Sequence, residues 1–441
     1  MSEQERNHKP VVRFIPYILV AVNFLGWEVI KRTPVFVSPT ISQQALRIHG
    51  VVAGSMLLIF ACILFARFCL AGRRASRLYR FEKYLLALLA VDLMALLIGL
   101  IRRNALVFLI GDTYKFSVIP LAYFCTVQTL EAKDARKLFL FIVILETVVT
   151  LESFGVYMIR LAAGIYERAP EHGISLLAFI FFLTSLASGE KLSRRRRNAY
   201  SVLLVIIGIT AILSRARTLW VQVILCPLIL LLVERKAVKA MIRPAAIALA
   251  LLVISLLGFS AVYRNIAREL RQRVAETLEL AKSSRQLAPV LSLDRRIVET
   301  KSALGRYAES PSFLNFIVGF GNGAEFYAPS AALGMGSRPG YKHHIHNGYV
   351  SLFFRMGVVG LASFLLFALS ALKSMYVFAR HNDEKMPGDY PLISKVIFVY
   401  LVATLVEFLT IYSFIGDIKW GVLLGIFRSA MPDTVRHENS N

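Results

Sequence analysis

Apolar blocks of about 17–25 residues recur along nearly the whole chain, each long enough to cross roughly 30 Å of hydrocarbon. Nothing else in the sequence restricts the fold so strongly, because only helices and closed barrels satisfy their backbone in lipid. Blocks of this length read as transmembrane helices. The spans fall at 11–29, 50–71, 84–101, 114–130, 138–158, 173–188, 199–213, 219–233, 244–262, 348–374, 393–413 and 417–429. The expected fold is therefore an all-α polytopic membrane protein with about twelve transmembrane helices. Within the pair at 101–130, Arg102, Arg103, Asp112 and Lys115 interrupt the apolar run, and part of it could be re-entrant or interfacial.

The net charge of +23 would suit a nucleic-acid-binding protein, but the basic residues are not gathered on a soluble face. They sit in short clusters between apolar blocks: Arg73, Arg74, Arg77, Arg80 and Lys83; Lys133, Arg136 and Lys137; Lys191 and Arg194 to Arg197; Arg235, Lys236, Lys239 and Arg243. With twelve spans and a cytoplasmic N-terminus, all four clusters face the cytoplasm, as the positive-inside rule requires. Both termini are then cytoplasmic, and no cleavable signal peptide is expected. This gives transmembrane helices over 1–262, a loop at 263–345 on the external side, transmembrane helices over 346–429 and a cytoplasmic tail at 430–441. In the loop, apolar residues Ile266, Leu270, Val274, Leu278 and Ala281 recur at helical spacing, a second helix is expected at 294–308, and the glycine-, proline- and serine-rich 319–340 should be irregular. Cys62, Cys69, Cys125 and Cys226 all lie in apolar blocks and read as buried small hydrophobes.

Three polar constellations could carry chemistry. His343, His344 and His346 stand where the long loop returns to the membrane. A histidine there can cap a helix, bind a metal or act as a general base. The nearest carboxylates in the local sequence, Glu309 and Glu325, are distant, which argues against a metal. Arg215 and Arg217 occupy a short external turn, against the charge bias. Together with Arg264, Arg268, Arg271, Arg273, Arg295 and Arg296, they suit an external clamp for a diphosphate at headgroup level; a solvated or snorkelling face is the plainer alternative for any one of them. Gly319-Phe320-Gly321-Asn322-Gly323 is a flexible turn without a dinucleotide-binding context. Asp92, Glu146 and Glu407 lie inside spans and read as structural.

His346 and Asn347, followed after nine residues by Gly357-Val358-Val359-Gly360, resemble the signature of the O-antigen ligase family of bacterial envelope glycosyltransferases. Arg296 with its following helix, then Gly319-Phe320-Gly321, looks like a second element of that family, although Thr300 stands where tryptophan is common. The Ser214-Arg215-Ala216-Arg217 turn is similar to the family's arginine-bearing external turn. The resemblance implies a GT-C-like glycosyltransferase of the bacterial inner membrane, with its active site facing the periplasm. It implies transfer of a glycan from undecaprenyl diphosphate to a lipid A–core hydroxyl, without metal, cofactor or nucleic acid. His346 and Arg215 would be catalytic; Arg217, Arg264, Arg268, Arg296, His343 and Asn347 would bind substrate. Alternatives are an O-antigen or capsule polymerase with the same donor, and a protein O-oligosaccharyltransferase. A transporter is disfavoured, because no symmetry between two halves is seen.

Overall fold

A computed structural model describes residues 16–18, 20, 78–163, 176–188, 192–213, 217–234, 242, 244, 292–329, 340–381, 390–409 and 418–430. The expected span at 50–71, most of those at 11–29 and 244–262, and the first loop helix at 264–288 lie outside these residues. Among the described residues the structure is mostly helical, as expected of a polytopic all-α membrane protein. Among the described residues, five helices are long and apolar enough to cross a membrane by length and composition: Arg80–Ile101, Leu106–Thr129, Ala132–Arg160, Gly348–Arg380 and Tyr390–Glu407.

The chain divides into two compact units, one of residues 1–142 and 295–441, the other of 143–294. In the first unit, α1 (Arg80–Ile101) and α2 (Leu106–Thr129) form a helical pair, and α3 (Ala132–Ala162) begins there and continues into the second unit. The second unit holds α4 (Leu176–Ala187), α5 (Arg194–Leu213) and α6 (Arg217–Val233), packed on one another. Here Tyr200 of α5 lies against Phe181 and Phe182 of α4, with ring centroids 6.0 and 5.0 Å apart.

The first unit resumes with α7 (Ser292–Glu309), α8 (Phe313–Val318), the strands β1 (Phe326–Ala328) and β2 (Gly340–Lys342), then α9 (Gly348–His381), α10 (Tyr390–Glu407) and α11 (Ile418–Ala430). Helix α2 is continuous through Asp112 and Lys115, and residues 102–105 form a short connection from α1. Three described basic groups sit at helix starts: Arg80 and Lys83 in α1, Lys133, Arg136 and Lys137 in α3, and Arg194 to Arg197 in α5.

Close helix approach follows from small residues. Gly421 and Gly425 of α11 press on α2: a Cβ at Gly421 would lie 2.4 Å from the Ile119 carbonyl oxygen, and one at Gly425 2.5 Å from Thr126 Cβ. This is the small-xxx-small device of membrane helix packing. Buried charge is paired: Arg428 of α11 lies 3.2 Å from Glu82 of α1.

Helix α9 is bent at Gly357, whose backbone (φ 63°, ψ −162°) is outside the helical region and essentially reserved for glycine. The bend frees carbonyls in the preceding turn. Those of Phe353, Phe354 and Arg355 accept hydrogen bonds from the Tyr307 hydroxyl (2.8 Å), the Phe320 N–H (2.9 Å) and the Gly321 N–H (2.9 Å). A buried acceptor left unpaired costs about 1–3 kcal/mol, so these donors fix the glycine turn against the bend. Gly319, Gly321 and Gly323 all have positive φ, which suits the residue type.

The stretch at 319–340, expected to be irregular, begins with this turn but then pairs β1 with β2 antiparallel, Tyr327 opposite Tyr341. A small apolar core of Ala303, Phe320, Ala324, Phe326, Ala328, Ile345 and Phe354 lies beneath. It joins α7, the glycine turn, the strand pair and the start of α9, and so sets the position of the histidine segment.

Candidate active site

The strand β2 delivers residues 342–347 to the N-terminus of α9. Asn347 is the helix cap: its side-chain oxygen accepts from the Val350 N–H at 3.1 Å. The capping role considered for the histidines thus falls to their neighbour, and Asn347, expected to bind substrate, spends its oxygen inside the protein.

The three histidines differ in environment. His343 faces inward. Its Nε2 lies 2.8 Å from Asp112 Oδ2 and 3.1 Å from Arg355 Nη2, and Phe108 stacks on its ring at 4.3 Å. Burial holds it below the ordinary histidine range, partly countered by the Asp112 hydrogen bond. His344 is pushed down to about 3, chiefly by burial and then by its electrostatic interactions with His346 and Lys115. His346 is more open than His343: its side chain is 36% exposed, against 12% for His343.

Behind His346 stands Glu299 of α7. Its carboxylate oxygens lie 2.9 and 3.0 Å from His346 Nδ1, and one of them also accepts the His346 backbone N–H. The other accepts from Lys342 Nζ. Burial pushes the Glu299 carboxyl up, but the hydrogen bonds from His346 and Lys342 outweigh it and hold the group below the usual range. It is therefore ionised at neutral pH. The expectation that the histidines lack a carboxylate partner is corrected here: Glu299 and Asp112, remote in sequence, are the partners.

A buried polar network supports this arrangement from within the helices. Arg355 of α9 forms an ion pair with Asp112 of α2, donates to the His343 carbonyl at 2.8 Å, and donates to Ser351 Oγ at 2.8 Å. Asp112 also accepts the Gly323 N–H at 2.9 Å. The Asn322 side-chain amide donates to Asp92 of α1 at 2.7 Å and to Thr113 of α2 at 2.9 Å. Asp92, read as structural from sequence, thus holds the glycine turn in place.

Of the other expected site residues, Arg296 is half-buried on α7, three residues before Glu299 and so on the adjoining helix face. Arg217 begins α6 in the second unit. Arg215, Arg264 and Arg268 lie outside the described residues. No cluster of three or more His, Cys, Asp or Glu side chains suited to a metal is found among the described residues.

Sequence reasoning missed Glu299, Asp112 and Arg355. Arg355 lies inside the nine-residue gap of the histidine–glycine motif, and both it and Asp112 are charges within apolar spans, which default to functional or network roles. For Glu299 the available signal was its place one turn beyond Arg296, on a helix ending before the glycine turn.

Helices able to span a bilayer, with a partly open histidine backed by a buried carboxylate at one helix end, are consistent with a polytopic membrane protein. Residues 201–365 match a family model described as O-antigen ligase, a segment that includes α7, the glycine turn, the histidines and the bend of α9. This match supports the resemblance to the O-antigen ligase family that the motif at His346 implied. The match supports a membrane glycosyltransferase-like enzyme of the O-antigen ligase or polymerase kind. No curated protein matches the chain.

Proposed function

We propose that this protein is an O-antigen ligase, transferring a glycan from undecaprenyl diphosphate to a sugar hydroxyl of lipid A–core. The observation that carries the reading is His346: it opens the family motif inside the matched segment, and its ring is open while a buried network fixes the chain around it. In the reaction the acceptor oxygen attacks the anomeric carbon and the new C–O bond forms. The bond from that carbon to the diphosphate oxygen breaks, its electron pair leaving with undecaprenyl diphosphate. The hydroxyl proton passes to His346 as general base and from there to solvent. A single displacement inverts the anomeric centre.

Arginines stabilise the charge that develops on the departing diphosphate. Arg215 is assigned a catalytic part in this, and Arg217, Arg264, Arg268 and Arg296 the binding of the donor. Asn347 and His343 hold the site's backbone and shape. No metal is required: Glu299, the carboxylate nearest His346, already receives Lys342, whose ammonium opposes a cation there. The enzyme lies in the bacterial inner membrane with twelve spans, cytoplasmic termini and the loop at 263–345 in the periplasm. The four basic clusters of the sequence support that orientation.

Reconstitution tests the reading. Purified protein in vesicles, given a lipid-diphosphate-linked glycan and rough lipopolysaccharide, should attach the glycan to lipopolysaccharide. Extension of the lipid-linked glycan with no transfer to lipopolysaccharide would make the protein a polymerase instead, and transfer to neither would overturn both.

A further inference from the structure

Glu299 has three donors and two oxygens: the His346 backbone N–H, the His346 ring at Nδ1, and Lys342 Nζ. Its side chain is 1% exposed, so water supplies none of this. An ionised carboxylate only accepts hydrogen bonds, so the nitrogen facing it must carry the ring proton. The neutral ring then exists as the Nδ1–H tautomer, with the Nε2 lone pair directed away from α7. Among the described residues no hydrogen bond is made by His346 Nε2.

We propose that Glu299 is the positioning residue of the transfer reaction, fixing the tautomer and orientation of His346 and stabilising the imidazolium formed when Nε2 takes the acceptor's proton. The inference rests on the reading of His346 as the base. Lys342 completes the device: it neutralises the buried carboxylate and holds its second oxygen, so the carboxylate cannot rotate away from the ring. The arrangement is the orienting half of the nucleophile–base–orienter logic, with a sugar hydroxyl brought by the acceptor in place of a protein nucleophile. Charged and titratable groups described near the ring include Glu299 on α7, Lys342 on β2 and His344 on its own segment, with Lys115 of α2 acting in turn on His344.

Glu299→Gln keeps the shape but changes the chemistry. The amide has one acceptor oxygen for three donors, and its NH2 can donate to Nδ1, which favours the Nε2–H tautomer that cannot act as base. The same reconstituted assay, run on the full chain as wild type, Glu299→Gln, Glu299→Asp and His346→Ala, tests this. Glu299→Gln should lose about 10²-fold or more in turnover with little change in acceptor KM, where loss of the orienting carboxylate in a Ser-His-Asp triad costs ~10⁴-fold. Its residual activity should show the acid limb of the pH profile at lower pH, because the imidazolium has lost its counter-charge and the base stays unprotonated further into acid. Glu299→Asp, which keeps the charge, should recover part of the turnover and the wild-type limb. A merely structural role would lower activity without moving the limb.

Inactive His346→Ala beside Glu299→Gln of wild-type turnover and limb would overturn this proposal and leave the base intact. Active His346→Ala would instead overturn the reading beneath it. If Glu299→Gln does not fold, 15N spectra of histidine-labelled wild type, assigned through His346→Ala, still decide: a protonated Nδ1 at His346 upholds the proposal and a protonated Nε2 in the neutral ring overturns it.

Discussion

Replacing Gly357 by alanine should uncouple the glycine turn from α9. Two separate costs arise. The backbone at φ 63°, ψ −162° belongs to a region that is closed to residues with a Cβ, worth about 1–3 kcal/mol where it is forced. The added Cβ would also lie 2.2 Å from the Ile317 carbonyl oxygen and 2.6 Å from the Gly319 nitrogen. Those are backbone atoms of α8 and the turn and cannot swing aside as a side chain would. Overpacking of this kind costs roughly a further 1–3 kcal/mol. A total of about 2–6 kcal/mol is a large share of a typical folding free energy. Relief by moving the turn would break the hydrogen bonds of Phe320 and Gly321 to α9 and displace the segment that carries His346. Thermal unfolding in detergent, with Gly111→Ala as the control, checks this. Gly111 is in α2 with nothing within 4 Å of its Cβ position, so that variant should melt within about 1 kcal/mol equivalent of wild type. Gly357→Ala should melt well below both and lose glycan transfer; an unchanged melting midpoint would refute the reasoning.

Arg355→Met or Asp112→Asn alone should destabilise by about 3–5 kcal/mol, since each strands a buried charge or donor, and the double variant should lose less than the sum; additive losses in a double-mutant melting series would contradict the pairing. Arg215→Lys keeps the charge but removes the bidentate fork, and a large loss of transfer with normal membrane insertion is expected; near-normal activity in both Arg215→Lys and Arg215→Ala would remove this residue from the diphosphate clamp. Transfer should persist in excess EDTA, and loss that one added divalent ion restores would contradict a metal-free mechanism.

The helical, membrane-spanning character was legible because hydrocarbon thickness imposes a length on every apolar block, and α1, α2, α3, α9 and α10 meet it. His346 was legible for a different reason: it opens a spaced motif. The rest of the site was not, because its partners are set by tertiary approach. Glu299 reaches His346 across 47 residues, and Asp112 reaches His343 across 231. No local spacing announces either pairing. Gly357 could be read as part of a motif, but the bend it makes could not, because an interior glycine in an apolar run is as compatible with a straight helix as with a broken one. His343 shows the same limit: adjacent in sequence to the proposed base, it is held by a different carboxylate in a buried network. Its substitution is accordingly a poor control for His346.

Whether His346 takes the acceptor's proton is measured by the initial rate of glycan transfer by His346→Ala in vesicles with defined lipid-linked donor and rough lipopolysaccharide. Donor binding and the melting midpoint should stay near wild type while turnover falls about 10²–10⁴-fold, the range of a lost general base. His346→Ala that folds normally and transfers glycan at the wild-type rate would contradict the account.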